Sequence, residues 1–126
     1  MVTIPKYRFS RAKETFNEAV LLGNEDHWNA VANRLYYACF YLVNSLLVQK
    51  DLSFKSHSGV KSEFHRSFVK TGKITMNSGR LYGRLFNLRH EGDYADFKRF
   101  EKEDIEPFIA DVEEFFLEIE KLLEFK

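Results

Sequence analysis

Trp28-Asn-Ala-Val-Ala-Asn-Arg-Leu-Tyr-Tyr-Ala-Cys-Phe-Tyr-Leu-Val-Asn-Ser-Leu-Leu47 decides the fold. Its apolar residues Trp28, Val31, Leu35, Ala38, Cys39, Leu42, Val43, Leu46 and Leu47 recur at steps of three and four, the period of one helix face. The spacing predicts a helix from His27 to about Lys50, roughly 36 Å long at 1.5 Å per residue, at the centre of the core. Asn24 and Asp26 are the candidate N-caps.

The same period extends outward in both directions. A first helix is expected just after Pro5, burying Phe9, Ala12, Phe16, Ala19 and Val20 and stopping near Gly23. A short third helix, capped by Ser56 or Ser58, carries Val60, Phe64 and Phe68 and ends at Gly72. A fourth runs from Asn77 or Ser78 to about Glu91, where Gly92 reads as its stop. The last is expected from Lys102 to Phe125, starting later if Pro107 must lie in its first turn. No sustained period-two alternation and no Asn-Gly or Asp-Gly turn marks a strand. The reading is all-α: an up-and-down bundle of four main helices plus a short one, with residues 1–126 as a single domain.

Composition narrows the classes. The longest apolar run is too short for a spanning helix, and the N-terminus lacks a signal-type apolar core. Cys39 is the sole cysteine, which excludes an internal disulfide and points to a cytoplasmic protein with a buried, inert thiol. His27, His57, His65 and His90 form no metal-ligand spacing, and no cofactor is expected. Serine-nucleophile, Walker and dinucleotide motifs are also absent. Formal net charge is zero, yet Lys50–His90 holds nine Lys/Arg against two acids, and Arg99–Lys126 four against ten. A basic middle of net +7 beside a tail of net −6 can hold an anion on one side.

Candidate chemistry concentrates in three places. Arg84-Leu-Phe-Asn-Leu-Arg-His-Glu-Gly-Asp-Tyr94 sets permanent cations and a titratable imidazole at a helix end, suited to phosphate. Arg34, Tyr37 and Tyr41 share one helix face and could stack a base or bind phosphate, though the same face suits a dimer seam. Lys55-Ser-His-Ser-Gly-Val60 joins a cation, two hydroxyls and His57 to a helix start.

Arg34-Leu-Tyr-Tyr-Ala-Cys-Phe40, Ser45-Leu-Leu47, Lys55-Ser-His-Ser-Gly-Val60, Phe68-Val-Lys-Thr-Gly72 and Leu88-Arg-His-Glu-Gly-Asp-Tyr94 follow one another in order. Together they resemble the HEPN-domain superfamily, in particular a prokaryotic branch of small, uncharacterised stand-alone proteins. The resemblance runs from about Arg11 to Leu123. It implies a helical bundle, commonly homodimeric. Many members are metal-independent ribonucleases or toxins with an Arg-x(4–6)-His motif, and others accompany a minimal nucleotidyltransferase.

Arg84 to His90 fits that motif by count. The local sequence fits better with Arg89 as its arginine, which sets Tyr94 where histidine would stand; tyrosine is a poor base at neutral pH. The resemblance thus nominates Arg89, His90 and Tyr94 as catalytic, with Arg84 and Asp93 beside them, while Arg34, Tyr37, Lys55 and His57, read from their own spacing, are expected to bind the nucleotide or RNA. It implies a nucleotide- or RNA-binding protein, partnered with a nucleotidyltransferase in a toxin–antitoxin-like pair. The alternatives are a metal-independent ribonuclease using Arg89 and His90, and an inert dimeric scaffold. A homodimer also follows from the second helix, whose apolar and aromatic residues occupy more than one face.

Overall fold

The computed structural model describes residues 3–94 and 98–124. Helix α1 spans Ile4–Asn24, α2 Trp28–Gln49, α3 His57–Phe64, α4 Met76–Tyr94, α5 Lys102–Ile105 and α6 Pro107–Glu120. Among the described residues there is no strand. Directly after α3 the chain makes one wide π turn, His65–Val69, closed by the Lys70 N–H on the His65 carbonyl at 2.7 Å.

Local chemistry accounts for most helix ends. Thr3 accepts the Lys6 N–H at 3.3 Å and Pro5 lies in the first turn of α1, where its missing donor costs nothing. Ser56 accepts the Gly59 N–H at 2.9 Å and starts α3. Gly72, at φ +82°, turns the chain after the π turn, a conformation that carries no penalty without a Cβ. Glu101 and Asp104 form a reciprocal capping box at α5.

Helix α2 is the hub, as its periodicity predicts. Leu35, Leu42, Val43 and Leu46 are fully buried, each such side chain contributing about 1.5–3 kcal/mol over exposure. Helix α1 runs antiparallel to it: the Ser45 hydroxyl donates to the Pro5 carbonyl at 2.7 Å, while Arg34 meets Glu18 nearer the other end. Helix α4 is also antiparallel to α2, with Tyr36 stacked on Tyr82 and Asn33 bonded to Asp93. Helix α6 runs parallel to α2 and finishes where Gln49 donates to the Leu122 carbonyl at 3.0 Å. The result is an up-and-down bundle of four long helices with α3 laid along α2.

Four details depart from the sequence expectation. His27, not Asn24 or Asp26, occupies the N-cap of α2; Asp26 instead takes φ +59° in the turn before it. Thr15 is buried in α1 with its hydroxyl on the Arg11 carbonyl at 2.7 Å, whereas Val20 is exposed. The last helix breaks into α5 and α6 because Pro107 cannot donate within a helix and so begins a new one. Phe125, its expected end, lies outside the described residues.

The fourth departure bears on the site. Helix α4 does not stop near Glu91 but continues through Gly92 to Tyr94. Gly92 serves a close approach instead: a Cβ there would lie 2.9 Å from the Phe100 ring. The returning chain packs on that bare turn, held by Asn29, which donates to the Lys98 carbonyl at 3.0 Å and accepts the Phe100 N–H at 2.7 Å.

Candidate functional site

Helices α2, α3 and α4 converge on one cationic and aromatic cluster. Tyr36, buried on α2, lies 2.7 Å through its hydroxyl from Nδ1 of His57, the first residue of α3. Burial pushes the Tyr36 hydroxyl up to about 12, so it stays a neutral phenol that can donate to a bare Nδ1 or accept from Nδ1–H. The His57 ring stacks on Phe40 at 4.4 Å and meets Tyr37 edge-on at 5.7 Å. From α4, the Arg89 guanidinium sits 5.0 Å above the Tyr36 ring and 5.9 Å from that of Tyr37. Arg89 is only 8% exposed, an uncommon position for a permanent charge.

The cluster sets the protonation of His57. Burial first, and the Arg89 charge second, hold the imidazole below its ordinary value near 6.5. At neutral pH it is therefore an uncharged ring beside a fixed cation. Because the unfolded chain takes up that proton more readily, stability falls as pH drops through about 6.5 toward the folded value. Melting temperature should decline over that interval in the wild type, and the His57→Gln variant should lack that part of the decline. Identical pH–melting curves for the two proteins would rule out the linkage.

Around the cluster, Arg34 reaches the Tyr37 ring at 5.4 Å while two of its nitrogens donate to Asn33 Oδ1 at 3.0 and 2.7 Å. Asn33 in turn donates to Asp93 Oδ2 at 2.9 Å. Arg34, Tyr37, Asp93, His57 and Arg89 from the sequence reading are thus brought together. Tyr36, Phe40 and Asn33 complete the arrangement. Tyr36 lies off the Arg34–Tyr37–Tyr41 face, so helical spacing alone gave no reason to select it.

Other nominated residues fall elsewhere. His90 follows Arg89 by about 100° of helix rotation and faces outward, so the imidazole beside Arg89 is that of His57. Arg84 lies on the far side of α4, in a groove of about 1080 Å³ with Arg80, facing Asp111, Glu114 and Glu118 of α6. It does not join Arg89. Lys55 is exposed just ahead of the Ser56 cap. Tyr94 ends α4, and its side chain lies outside the described residues. His57 and His65 are joined by uninterrupted helical chain. They lie on one continuous helical face, two turns apart.

Among the described residues no three His, Cys, Asp or Glu side chains group as metal ligands, and no helix is long and apolar enough to cross a membrane. Cys39 is fully buried, and burial pushes its thiol well above the usual range.

Comparison with known proteins agrees with this architecture. The HEPN domain profile matches residues 5–122. A UPF0332 protein of Thermotoga maritima is 44% identical over 96% of this chain and 92% of its own length. A protein of Methanocaldococcus jannaschii named as a candidate toxin is 38% identical over 89% of this chain and 83% of its own. A second protein from that organism, also named as a candidate toxin, is 29% identical over 76% of this chain and 65% of its own. With the matched span covering every helix of the bundle, the chain belongs to the HEPN domain family.

Proposed function

We propose that this chain is a single HEPN unit that binds RNA at the Arg89–His57–Tyr37 cluster and acts as a cytoplasmic homodimer in a toxin–antitoxin-like pair with a minimal nucleotidyltransferase. The observation that carries the reading is the near-buried Arg89 guanidinium held against two tyrosine rings. It sits beside the half-exposed Tyr37 and His57, which offer stacking faces to a base while Arg89 and Arg34 offer donors to its phosphate. The candidate-toxin names of two relatives fit such a pair.

Dimerisation is supported by the face beside the cluster. Tyr7 is 57% exposed on α1, and Tyr37, Phe40 and Tyr41 of α2 are only half-buried. A second copy covering these rings would place two clusters near one another. Titration of fluorescent single-stranded RNA, with sedimentation at the same micromolar concentrations, tests both parts. A dimer that binds with strongly salt-dependent affinity is expected. A 14.9 kDa monomer indifferent to RNA would end the reading.

One observation favours a second reading, metal-independent RNA cleavage. His57 is kept uncharged beside Arg89; in the tautomer whose Nδ1–H donates to the Tyr36 oxygen, Nε2 can accept a proton from a ribose hydroxyl while Arg89 meets the charge developing on the phosphodiester. EDTA-resistant cleavage by the purified protein distinguishes an enzyme from a binding module.

A further inference from the structure

The basic middle of the chain does not form one surface. Arg80 and Arg84 project from α4 toward the carboxylates of Asp111, Glu114 and Glu118, so their charge is opposed across the groove. The cations of α3 and its π turn lie elsewhere and continue from the Arg89–His57 cluster. His57, Lys61 and His65 follow one another at four-residue steps along a single face.

Three features keep that face open and positive. Opposite it, α4 presents Gly83 and Gly79: a Cβ on Gly83 would lie 3.6 Å from the Lys61 chain, and one on Gly79 would lie 2.9 Å from Val69 and 3.4 Å from His65 Nε2. The Lys61 stem therefore passes Gly83 to set its ammonium over the Phe86 ring at 4.9 Å, and His65 rests against Gly79. Glu63 is the one acid in residues 52–90, and its buried carboxylate is occupied by Ser67 and Arg66, which hold it below the ordinary range.

The π turn adds a second lysine. In an uninterrupted α-helix, nine residues at about 100° each would set Lys70 opposite Lys61. The wider turn rotates the chain less per residue, and Lys70 instead lines a depression of about 520 Å³ with Lys61, Ser62, His65 and Arg66. His65 Nδ1–H donates to the Lys61 carbonyl at 3.0 Å, which leaves Nε2 as the acceptor of the ring.

We infer that the α3–π face is a phosphate track: an RNA strand held at the Arg89–His57 cluster continues along α3, its backbone phosphates meeting Lys61 and then Lys70. The inference rests on the reading of that cluster as an RNA site. It assigns the contact surface to α3 and the π turn and excludes the Arg80–Arg84 wall, although both carry the same charge.

Two double variants, each removing two positive charges, test it: Lys61→Gln with Lys70→Gln, and Arg80→Gln with Arg84→Gln. Lys70, Arg80 and Arg84 are exposed and Lys61 half-buried, and circular dichroism melts check that the variants fold. Each phosphate contact on a single strand contributes about 0.7 to the slope of log K against log salt. The first pair should lower the slope by about 1.4, and the second should leave it at the wild-type value. An unchanged slope for the first pair, or an equal loss for the second, overturns the track. If Arg89→Ala still weakens binding in that event, the cluster survives as the RNA site. A wild-type protein that binds no RNA overturns both.

Discussion

Substitution of His57 by alanine is expected to lower any RNA-cleavage rate by roughly 10²–10⁴-fold, the usual range for a positioned proton-transfer group. Binding should persist at reduced affinity, because the neutral imidazole adds little charge and its loss removes only one of the stacking faces. Arg89→Ala should instead weaken binding about 10–100-fold, the loss of charge-assisted hydrogen bonds worth about 1.5–3 kcal/mol. Arg89→Lys tests geometry apart from charge, since lysine keeps the cation without the planar fork that lies over Tyr36 and Tyr37. His90→Ala is the comparison that decides between the two histidines. A loss there equal to that of His57→Ala would return the acid–base role to His90. If purified wild-type protein cleaves nothing yet binds RNA, the binding module is the better description, and the Arg89 variants alone should then show the large effect.

The largest stability effect is expected at the aromatic centre of the bundle. Phe115 of α6 is fully buried, its ring 6.0 Å from Phe64 and 6.3 Å from Tyr82. Tyr82 stacks in turn on Tyr36, which carries the hydrogen bond to His57. Phe115→Ala removes a ring from a site with no solvent to refill it and should cost about 3–5 kcal/mol. For a chain of this length that is a fall in melting temperature of roughly 10–20 °C. Leu117→Ala, two residues along the same helix but 55% exposed, should change stability by no more than about 0.5 kcal/mol. Equal, small shifts for the two variants would show that the Phe64–Tyr82–Phe115 packing contributes little. The same measurement connects core to site, because loosening Tyr82 should also disturb the ring beneath Arg89.

The helices themselves could be read from the chain because their signal is local. Apolar steps of three and four residues in α2 and α6, Pro5 at the first turn of α1 and Ser56 before α3 each act within a few residues of where they are written. Their consequence is an amphipathic helix whatever its neighbours are. The Leu88–Tyr94 segment and the Arg34–Phe40 segment likewise stood out in the sequence, since charged and phenolic groups interrupt otherwise apolar faces. The family resemblance rested on these same segments.

The pairing of those groups was not local. Adjacent residues on a helix point about 100° apart, so Arg89 and His90 diverge, and only the packing of α3 on α2 and α4 brings His57 onto the Tyr36 hydroxyl and into the field of Arg89. Gly92 illustrates the same limit. By itself it reads as a helix stop, yet its role is set by the Phe100 ring, which returns from beyond the helix to pack where a Cβ would stand. The sequence by itself determined which segments are helical and which faces are apolar, because those depend on neighbours three or four residues away. Tertiary structure decided which imidazole lies near Arg89 and which lysines share a face with it. Those depend on how each helix is rotated about its axis, and only long-range burial sets that rotation.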